Sequence, residues 1–141
     1  MNTDTEVLIV GAGPVGLALA AELHRHDVPA VIVDRHREAA QTSRACVIHA
    51  RTLEVLEPLG VTAELLAAGV KVPIFRIRDR DRVLVTIDFS EIESDYRFTL
   101  MYPQDRTERL LLAALGRMGG SVERPAELVG YRSRGGASSR R

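Results

Sequence analysis

The stretch VLIVGAGPVG, residues 7–16, constrains the fold more than any other part of this sequence. Its first four residues are apolar and mostly β-branched, which is typical of a buried parallel strand. A GxGxxG turn follows, and Pro14 falls in the first turn of a helix predicted over 15–26, where its missing N–H costs nothing. A second apolar run at 30–34, AVIVD, then completes the order strand, turn, helix, strand. The sequence therefore predicts a βαβ unit and an α/β fold.

Each glycine of the turn has its own expected role in a dinucleotide site. Gly11 permits the tight turn out of the strand, Gly13 leaves the backbone open to a pyrophosphate, and Gly16 lets the helix pack closely on the strands. The first helical turn offers free N–H groups to the phosphates. Asp34 ends the second strand, where a carboxylate accepts hydrogen bonds from a ribose. We interpret the unit as a dinucleotide site, and a glycine turn that only packs a helix is the less favoured alternative.

The residues of the turn leave the identity of the dinucleotide open. Arg35 follows Asp34 directly, and an arginine there faces a 2′-phosphate in NADP-binding proteins. It is equally placed to lie over an adenine. The carboxylate of Asp34 argues against a 2′-phosphate, because two negative charges would meet there.

The pattern of hydrophobic residues changes after Asp34. The alternation of apolar and charged residues from Val72 favours strands rather than further helices, and the row of arginines there is interpreted as the solvated face of a hairpin. In order, the sequence predicts a helix over 51–57, a helix over 63–68 capped by Thr62 and stopped by Gly69, two strands around a charged turn at 79–82, a strand over 96–102, a helix over 103–115 ended by Gly116, and one or two strands within 121–132.

Composition narrows the range of functions. Lysines plus arginines equal acids at 19 each, so the net charge gives no sign of a nucleic-acid partner. The polar N-terminus and the short apolar runs predict a cytoplasmic protein without a membrane span. Cys46 is the single cysteine, which excludes an intrachain disulfide or a cysteine-based zinc site. Cys46 is expected to be a small buried hydrophobe, and no metal site is expected.

Several segments in a fixed order resemble the class A flavoprotein aromatic hydroxylases, FAD-dependent monooxygenases that include para-hydroxybenzoate, phenol and polyketide hydroxylases. The resemblance covers residues 5 to 130, and only the ordered set is specific. Besides the glycine turn and the acid at 34, the matching segments are Ser43-Arg44-Ala45, Arg51-Thr52-Leu53-Glu54, Leu59-Gly60, Tyr102-Pro103-Gln104 and Glu108-Arg109-Leu110-Leu111.

The resemblance implies a set of FAD contacts at the matching positions. The glycine turn, with Pro14, would meet the pyrophosphate, and Asp34 the adenosine ribose with Arg35 close by. Arg44 would contact the phosphate and ribityl portion, since arginine offers a charged fork to phosphate oxygens. Gln104 would contact the ribityl chain, because its amide both donates to and accepts from hydroxyls. A surface role for Arg44 and a helix-start role for Gln104 are the alternatives. His49 is expected to have a packing or surface role rather than an acid–base role.

The sequence also departs from the family. The later DG and GD motifs do not occur, so we expect an incomplete Rossmann-like FAD-binding domain over 1–131, in which the strand-rich segment 72–102 is part of an inserted antiparallel sheet from the substrate side. Residues 132–141 are polar and low in complexity, which predicts a disordered tail. A truncated or frame-shifted gene product, or a fragment, is expected, with unpaired edges on the first two strands. The isolated chain is accordingly expected to fold poorly or to bind FAD weakly, with little or no activity.

In the full-length family, NAD(P)H is the transient electron donor and a small aromatic compound the substrate. Catalytic residues are not identified by the sequence. Two alternatives remain: a nucleotide-binding module completed by a separate C-terminal chain, and an NAD(P)-dependent dehydrogenase. The dehydrogenase would require continued strand–helix alternation after Asp34.

Overall fold

A computed structural model describes residues 5–38 and 46–132 of the chain. Its strands are β1 (Val7–Val10), β2 (Ala30–Val33), β3 (Val47–Ile48), β4 (Val70–Val72), β5 (Ile74–Asp79), β6 (Arg82–Asp88), β7 (Thr99–Met101) and β8 (Val122–Glu123). Its α-helices are α1 (Pro14–Arg25), α2 (Ala50–Leu56), α3 (Thr62–Ala68) and α4 (Gln104–Arg117), with a 3₁₀ turn at Glu57–Leu59 between α2 and α3.

The predicted βαβ unit is present as a parallel sheet with the strand order β1-β2-β8. β1 and β2 pair along their whole length, from Val7 opposite Ala30 to Val10 opposite Val33. The sheet corrects one expectation, because β8 pairs with the far edge of β2 and so covers an edge that was expected to be open. In this sheet, among the described residues, the outer edge of β1 and that of β8 carry no neighbouring strand. Leu8 and Val10 on β1 point to the face of the sheet opposite the buried Ile9, and they are 47% and 57% exposed.

The segment after α3 forms antiparallel sheets, as the change in hydrophobic pattern predicts. β7 lies between β3 and β4 in one sheet, and β5 and β6 form a two-stranded hairpin. The hairpin turns at Arg80, which adopts a positive φ of 50°. Both faces of the hairpin are exposed in the described residues, so its arginines are solvated as expected, and Phe75, Ile77, Val85 and Ile87 are exposed with them.

The core lies between α1, α4 and the two larger sheets. α1 contributes Leu17, Ala20 and Ala21, and α4 contributes a matching apolar face with Leu111 and Leu115. The spacing of three and four residues between these positions is that of one helix face. The small alanines on α1 let the two helices approach closely, and this packing holds the glycine turn in front of α1.

Two predicted helix ends are wrong. Thr62 does not cap α3, which has Val61 at its N-cap, and the Thr62 hydroxyl instead donates a 2.9 Å hydrogen bond to the Leu53 carbonyl. Burial explains the difference, since the buried hydroxyl lies next to the Leu53 carbonyl, which accepts it as a second donor beside the Glu57 amide. α4 runs through Gly116 to Arg117, and the reversal comes at Gly119, whose φ is +83°. Gly116 adopts ordinary helical geometry because a glycine stops a helix only where the chain turns left-handed.

Four further expectations can be compared with the described residues only in part or not at all. The predicted tail at 132–141 lies, apart from Arg132, outside the described residues, and so does Arg44. None of the helices within 5–38 and 46–132 combines the length and apolar character needed to cross a membrane. The expected division at residue 131 stays a prediction.

Candidate cofactor site

The glycine turn has the geometry that its sequence predicts. Gly11 adopts a φ of +102°, which residues with a side chain rarely adopt. A Cβ on Gly16 would lie 2.0 Å from the Gly11 carbonyl oxygen, so only glycine lets α1 start this close to β1. The chain therefore leaves β1, reverses over three residues and enters α1 with the start of the helix packed on the end of the strand.

Gly13 is the open point of the turn. It stands at the N-cap of α1 with an extended conformation, φ −78° and ψ −176°, and no side chain of the described residues caps the helix. An added Cβ at Gly13 would meet no atom within 4 Å. Leu17 donates the first helical hydrogen bond, to the Gly13 carbonyl, so the amides of Val15 and Gly16 precede the helical ladder. Unblocked amides at the positive end of a helix are a suitable site for a phosphate.

Asp34 follows β2 and faces the same turn. Its carboxylate accepts a 2.7 Å hydrogen bond from the Ala12 amide through Oδ2 and a 2.8 Å bond from the His36 amide through Oδ1. Burial of the carboxylate raises its pKa. The hydrogen bonds from the Ala12 and His36 amides and the charge of the nearby Arg124 lower the pKa by more than burial raises it, so the pKa of Asp34 lies below the ordinary value. An ionised carboxylate has about four acceptor positions, which leaves room for a ligand hydroxyl beside the two amides.

Two clefts lie on either side of the turn. The smaller, of about 400 Å³, is bordered by Gly11, Asp34 and Arg35 on one side and by residues 126–128 on the other. The larger, of about 530 Å³, begins at Pro14 and Val15 and extends to Gln104 at the start of α4. Gly13 lies in the sequence between the residues that border the two clefts, so an elongated ligand crossing the turn would reach both.

The larger cleft has a mixed lining. Apolar side chains from several elements, including Val15, Val47 and Leu111, form most of it, while Gln104 and Arg51 supply polar groups. Gln104 donates a 2.9 Å hydrogen bond from Nε2 to Glu108, one turn later on α4, which fixes its amide at the helix start. Such a lining suits a ligand with a flat apolar portion and a hydroxylated chain.

Of two residues near the larger cleft, Cys46 departs from its expected position and His49 does not. Cys46 is exposed rather than buried, because it precedes β3, the edge strand of its sheet, and borders the cleft. His49 is exposed at the N-cap of α2, with its ring centroid 6.3 Å from that of Phe89. This is the surface position that was favoured for His49, although the same residue also borders the cleft.

Sequence reasoning missed one residue of the site, Arg124. It follows β8, and its Nη1 lies 3.9 Å from Asp34 Oδ1 while its Nη2 lies 3.5 Å from the Ala12 carbonyl oxygen. In the sequence it is one arginine before a proline at the end of a weak strand, with no local signal of a site. Only the parallel pairing of β8 with β2 brings it to the turn.

The glycine turn, the ionised carboxylate and the two clefts fit a dinucleotide with a second, non-nucleotide half. The open position at Gly13 accommodates a pyrophosphate, and the carboxylate on one side suits an adenosine ribose. The larger cleft exceeds what a second ribose alone would need. Gln104 and Arg35 lie at opposite ends of this arrangement.

Comparison with known proteins identifies a family and two similar enzymes. A family model described as FAD binding domain matches residues 4–139. The 6-methylpretetramide 4-monooxygenase of Streptomyces rimosus is 42% identical over 126 residues, which are 88% of this chain and 23% of that protein. The pentachlorophenol 4-monooxygenase of Sphingobium chlorophenolicum is 40% identical over 111 residues, which are 78% of this chain and 21% of that protein.

A solved structure has the same fold. The ternary complex of aklavinone-11 hydroxylase with FAD and aklavinone matches with a TM-score of 0.71 and 29% identity, covering 87% of this chain and 26% of that one. The chain thus spans about a quarter of the length of each of these three proteins.

Proposed function

Because the chain belongs to the FAD binding domain family, with FAD as the cofactor of that family, we propose that it forms the part of a flavin-dependent monooxygenase that holds the adenosine, the pyrophosphate and the ribityl chain of FAD. The observation that carries the proposal is the position of Gly13, open and uncapped between two clefts. Relatives that are monooxygenases by name support the resemblance to the aromatic hydroxylases.

The smaller cleft is the proposed adenosine site. The Asp34 carboxylate accepts hydrogen bonds from the ribose hydroxyls with the positions that the Ala12 and His36 amides leave open. Arg35 borders the same cleft, and its guanidinium lies beside His36 at 3.4 Å. A planar guanidinium there stacks on an adenine face.

The glycine turn is the proposed pyrophosphate site. The Val15 and Gly16 amides donate to phosphate oxygens, and the dipole of α1 adds a favourable field. Gly11 and Gly16 shape this site through the backbone, and Pro14 gives up no donor because it has none. Arg44 is proposed as a further phosphate contact on the strength of the family motif alone.

The larger cleft is the proposed site of the ribityl chain and of the adjoining part of the flavin. Gln104 is held by Glu108 and turns its amide to the ribityl hydroxyls. The bound FAD supplies the redox chemistry between NAD(P)H, O₂ and the substrate, whereas these residues bind and orient it. The apolar lining excludes water from one side of the cofactor.

A small aromatic compound is the proposed substrate of the whole enzyme. The two similar enzymes are named as monooxygenases of 6-methylpretetramide and of pentachlorophenol. The hairpin β5–β6 carries exposed apolar residues in a segment that we assign to the substrate-side sheet, with residues 1–131 as one partial domain. No catalytic side chain is assigned to the reaction.

One alternative rests on a specific observation. The face of β1 that carries Leu8 and Val10 is exposed although the sequence of β1 is that of a central strand. This exposure fits the alternative of a binding module whose open face is covered by a separately encoded C-terminal chain. A dehydrogenase is less favoured, because β5, β6 and β7 are antiparallel where that fold continues with parallel strands.

The variant Gly13→Ser tests the proposal because it moves stability and binding in opposite directions. Serine is a better N-cap than glycine, so the free energy of unfolding is expected to stay equal or rise slightly. The same side chain occupies the amides offered to the pyrophosphate, so FAD affinity is expected to fall by about tenfold or more. The measurements are fluorescence titration with FAD and chemical unfolding of both proteins. A folded wild-type protein that shows no FAD binding in the titration, or equal FAD affinity of the two proteins, overturns the proposal.

A further inference from the structure

Arg124 is fixed beside Asp34 by backbone pairing rather than by its own side chain. The Asp34 amide donates a 3.0 Å hydrogen bond to the Glu123 carbonyl, and the Ala126 amide donates a 2.8 Å bond to the Asp34 carbonyl. These two bonds lie on either side of Arg124 in sequence. Any motion of the segment after β8 therefore moves Arg124 and the end of β2 together.

The guanidinium lies between two parts of the cofactor site. One nitrogen is 3.5 Å from the Ala12 carbonyl oxygen in the glycine turn, and another is 3.9 Å from the Asp34 carboxylate. The side chains of Arg124 and Asp34 are only 14% and 13% exposed. Charges that are partly removed from water interact more strongly than surface charges do, so this pair is not comparable to the exposed ion pairs elsewhere on the chain.

The cofactor creates an electrostatic difficulty that this arrangement relieves. A pyrophosphate at Gly13 brings negative charge to the same turn whose Ala12 amide is bound by the negative Asp34. Like charges at one small site disfavour binding unless a cation lies close by. Arg124 supplies that cation from the protein side, without occupying the open position at Gly13.

We propose that Arg124 is a positioning residue of the FAD site, which holds the Asp34 carboxylate in place and offsets its charge when the pyrophosphate binds. The inference rests on the proposed FAD binding and assigns a role to a residue outside the family motifs quoted above. Arg124 acts through Asp34, and it makes no contact of its own with the ribose.

A double-mutant cycle in FAD affinity tests this role. Arg124→Gln is expected to weaken FAD binding by about tenfold, and Asp34→Asn to weaken it by a similar factor. The double variant is expected to bind FAD no more weakly than Asp34→Asn alone, because the second change then has nothing left to act through. A merely structural role for Arg124 would instead give additive losses.

Two further variants complete the experiment. Arg78→Gln removes the same charge from the exposed hairpin and is expected to leave the affinity unchanged. Arg124→Lys keeps the charge without both contacts, so an intermediate affinity is expected, and it replaces Arg124→Gln if that variant does not fold. Additive losses, or wild-type affinity in both Arg124 variants, overturn the positioning role alone. A wild-type chain that does not bind FAD overturns the proposed function together with it.

Discussion

The amide of Ala12 donates a 2.7 Å hydrogen bond to the carboxylate of Asp34, 22 residues later in the chain. This bond ties the middle of the glycine turn to the end of the neighbouring strand. Asp34 thus has a structural task besides any contact with a ribose, because its carboxylate closes the backbone of the turn. The pattern that predicts a ribose-binding acid at this position gives no sign of that second task.

Asp34 is therefore expected to link stability to pH. Although burial alone raises the pKa of its carboxyl, the bonds from the Ala12 and His36 amides and the charges of Arg124 and His36 lower it below the ordinary 3.8. A carboxyl with a lowered pKa in the folded state stabilises the protein above the pKa of the unfolded state, and this stabilisation is lost as the pH falls through the folded value.

The measurement is the free energy of unfolding of the wild type and of Asp34→Asn from about pH 2 to about pH 7. The difference between the two proteins is expected to be constant above about pH 5 and to shrink as the pH falls through the unfolded and then the folded pKa of Asp34. Other carboxyls with lowered pKa values, such as Glu54, are common to both proteins and cancel in the difference. A difference that grows toward acid pH would contradict the expected role of Asp34.

Gly16 and Gly116 are expected to respond in opposite ways to the same substitution. Gly16→Ala places a Cβ 2.0 Å from the Gly11 carbonyl oxygen, which forces α1 away from β1 and is expected to cost about 3 kcal/mol or to prevent folding. Gly116→Ala meets no atom within 4 Å on α4 and is expected to stabilise the protein by up to about 1 kcal/mol. Urea unfolding of both variants measures the difference, and equal effects would show that the close contact at Gly16 is relieved elsewhere.

Local patterns predict the elements of this fold better than they predict its connections. The βαβ unit and the hairpin follow from residue types within short windows, since a glycine turn or an alternating strand is decided by near neighbours. The pairing of β8 with β2 does not, because it joins Ile32 to Val122 through the whole intervening chain. The two residues of β8, 122–123, are too few to predict a third strand of the parallel sheet from their sequence.

The residues of the candidate site also differ in whether local sequence predicts them. Gly11, Gly13 and Asp34 are predicted because their roles depend on the strand and helix beside them in sequence. Arg124 is not, since its place depends on the long-range pairing of β8. The helix end at Gly116 is wrong for a related reason: a glycine stops a helix only where the backbone reverses, and that reversal comes at Gly119, after α4 has continued to Arg117.

Two buried threonines provide a matched pair for the hydrogen-bond energetics of the core. Thr62 is 3% exposed, and its hydroxyl donates to the Leu53 carbonyl at 2.9 Å. Thr99 is 1% exposed, and its hydroxyl has no hydrogen-bond partner among the described residues. Thr62→Val is expected to destabilise the protein by about 1–2 kcal/mol, since it leaves a helix carbonyl with one bond fewer.

The same change at the other position is expected to have the opposite sign. Thr99→Val removes a hydroxyl that is buried without a partner and adds a methyl group in a strand, so a gain of about 1 kcal/mol is expected. Chemical unfolding of Thr62→Val and Thr99→Val at one pH measures whether the two stability changes have opposite signs. A loss of stability in Thr99→Val would indicate a partner for its hydroxyl outside residues 5–38 and 46–132.

Tyr96 is expected to stabilise the chain until strongly alkaline pH. Its hydroxyl donates a short hydrogen bond to the Glu57 carboxylate, which, with burial and the nearby acids Asp95 and Glu54, raises the pKa of Tyr96 from 10.0 to about 12. Because the unfolded chain loses this proton first, the stabilisation is complete below pH 10 and is lost as the pH rises toward 12.

Tyr96→Phe removes the bond between the loop after β6 and the 3₁₀ turn, and it is expected to cost about 1 kcal/mol at pH 8. As the pH rises above 10, the free energy of unfolding of the wild type should fall toward that of Tyr96→Phe. Only the wild type has a hydroxyl at position 96 whose ionisation removes the hydrogen bond. Tyr131→Phe is the matched control, since Tyr131 is 86% exposed and its substitution should change nothing. A constant difference between wild type and Tyr96→Phe from pH 8 to pH 12 would show that the packing of the ring, rather than its hydroxyl, joins the loop to the turn.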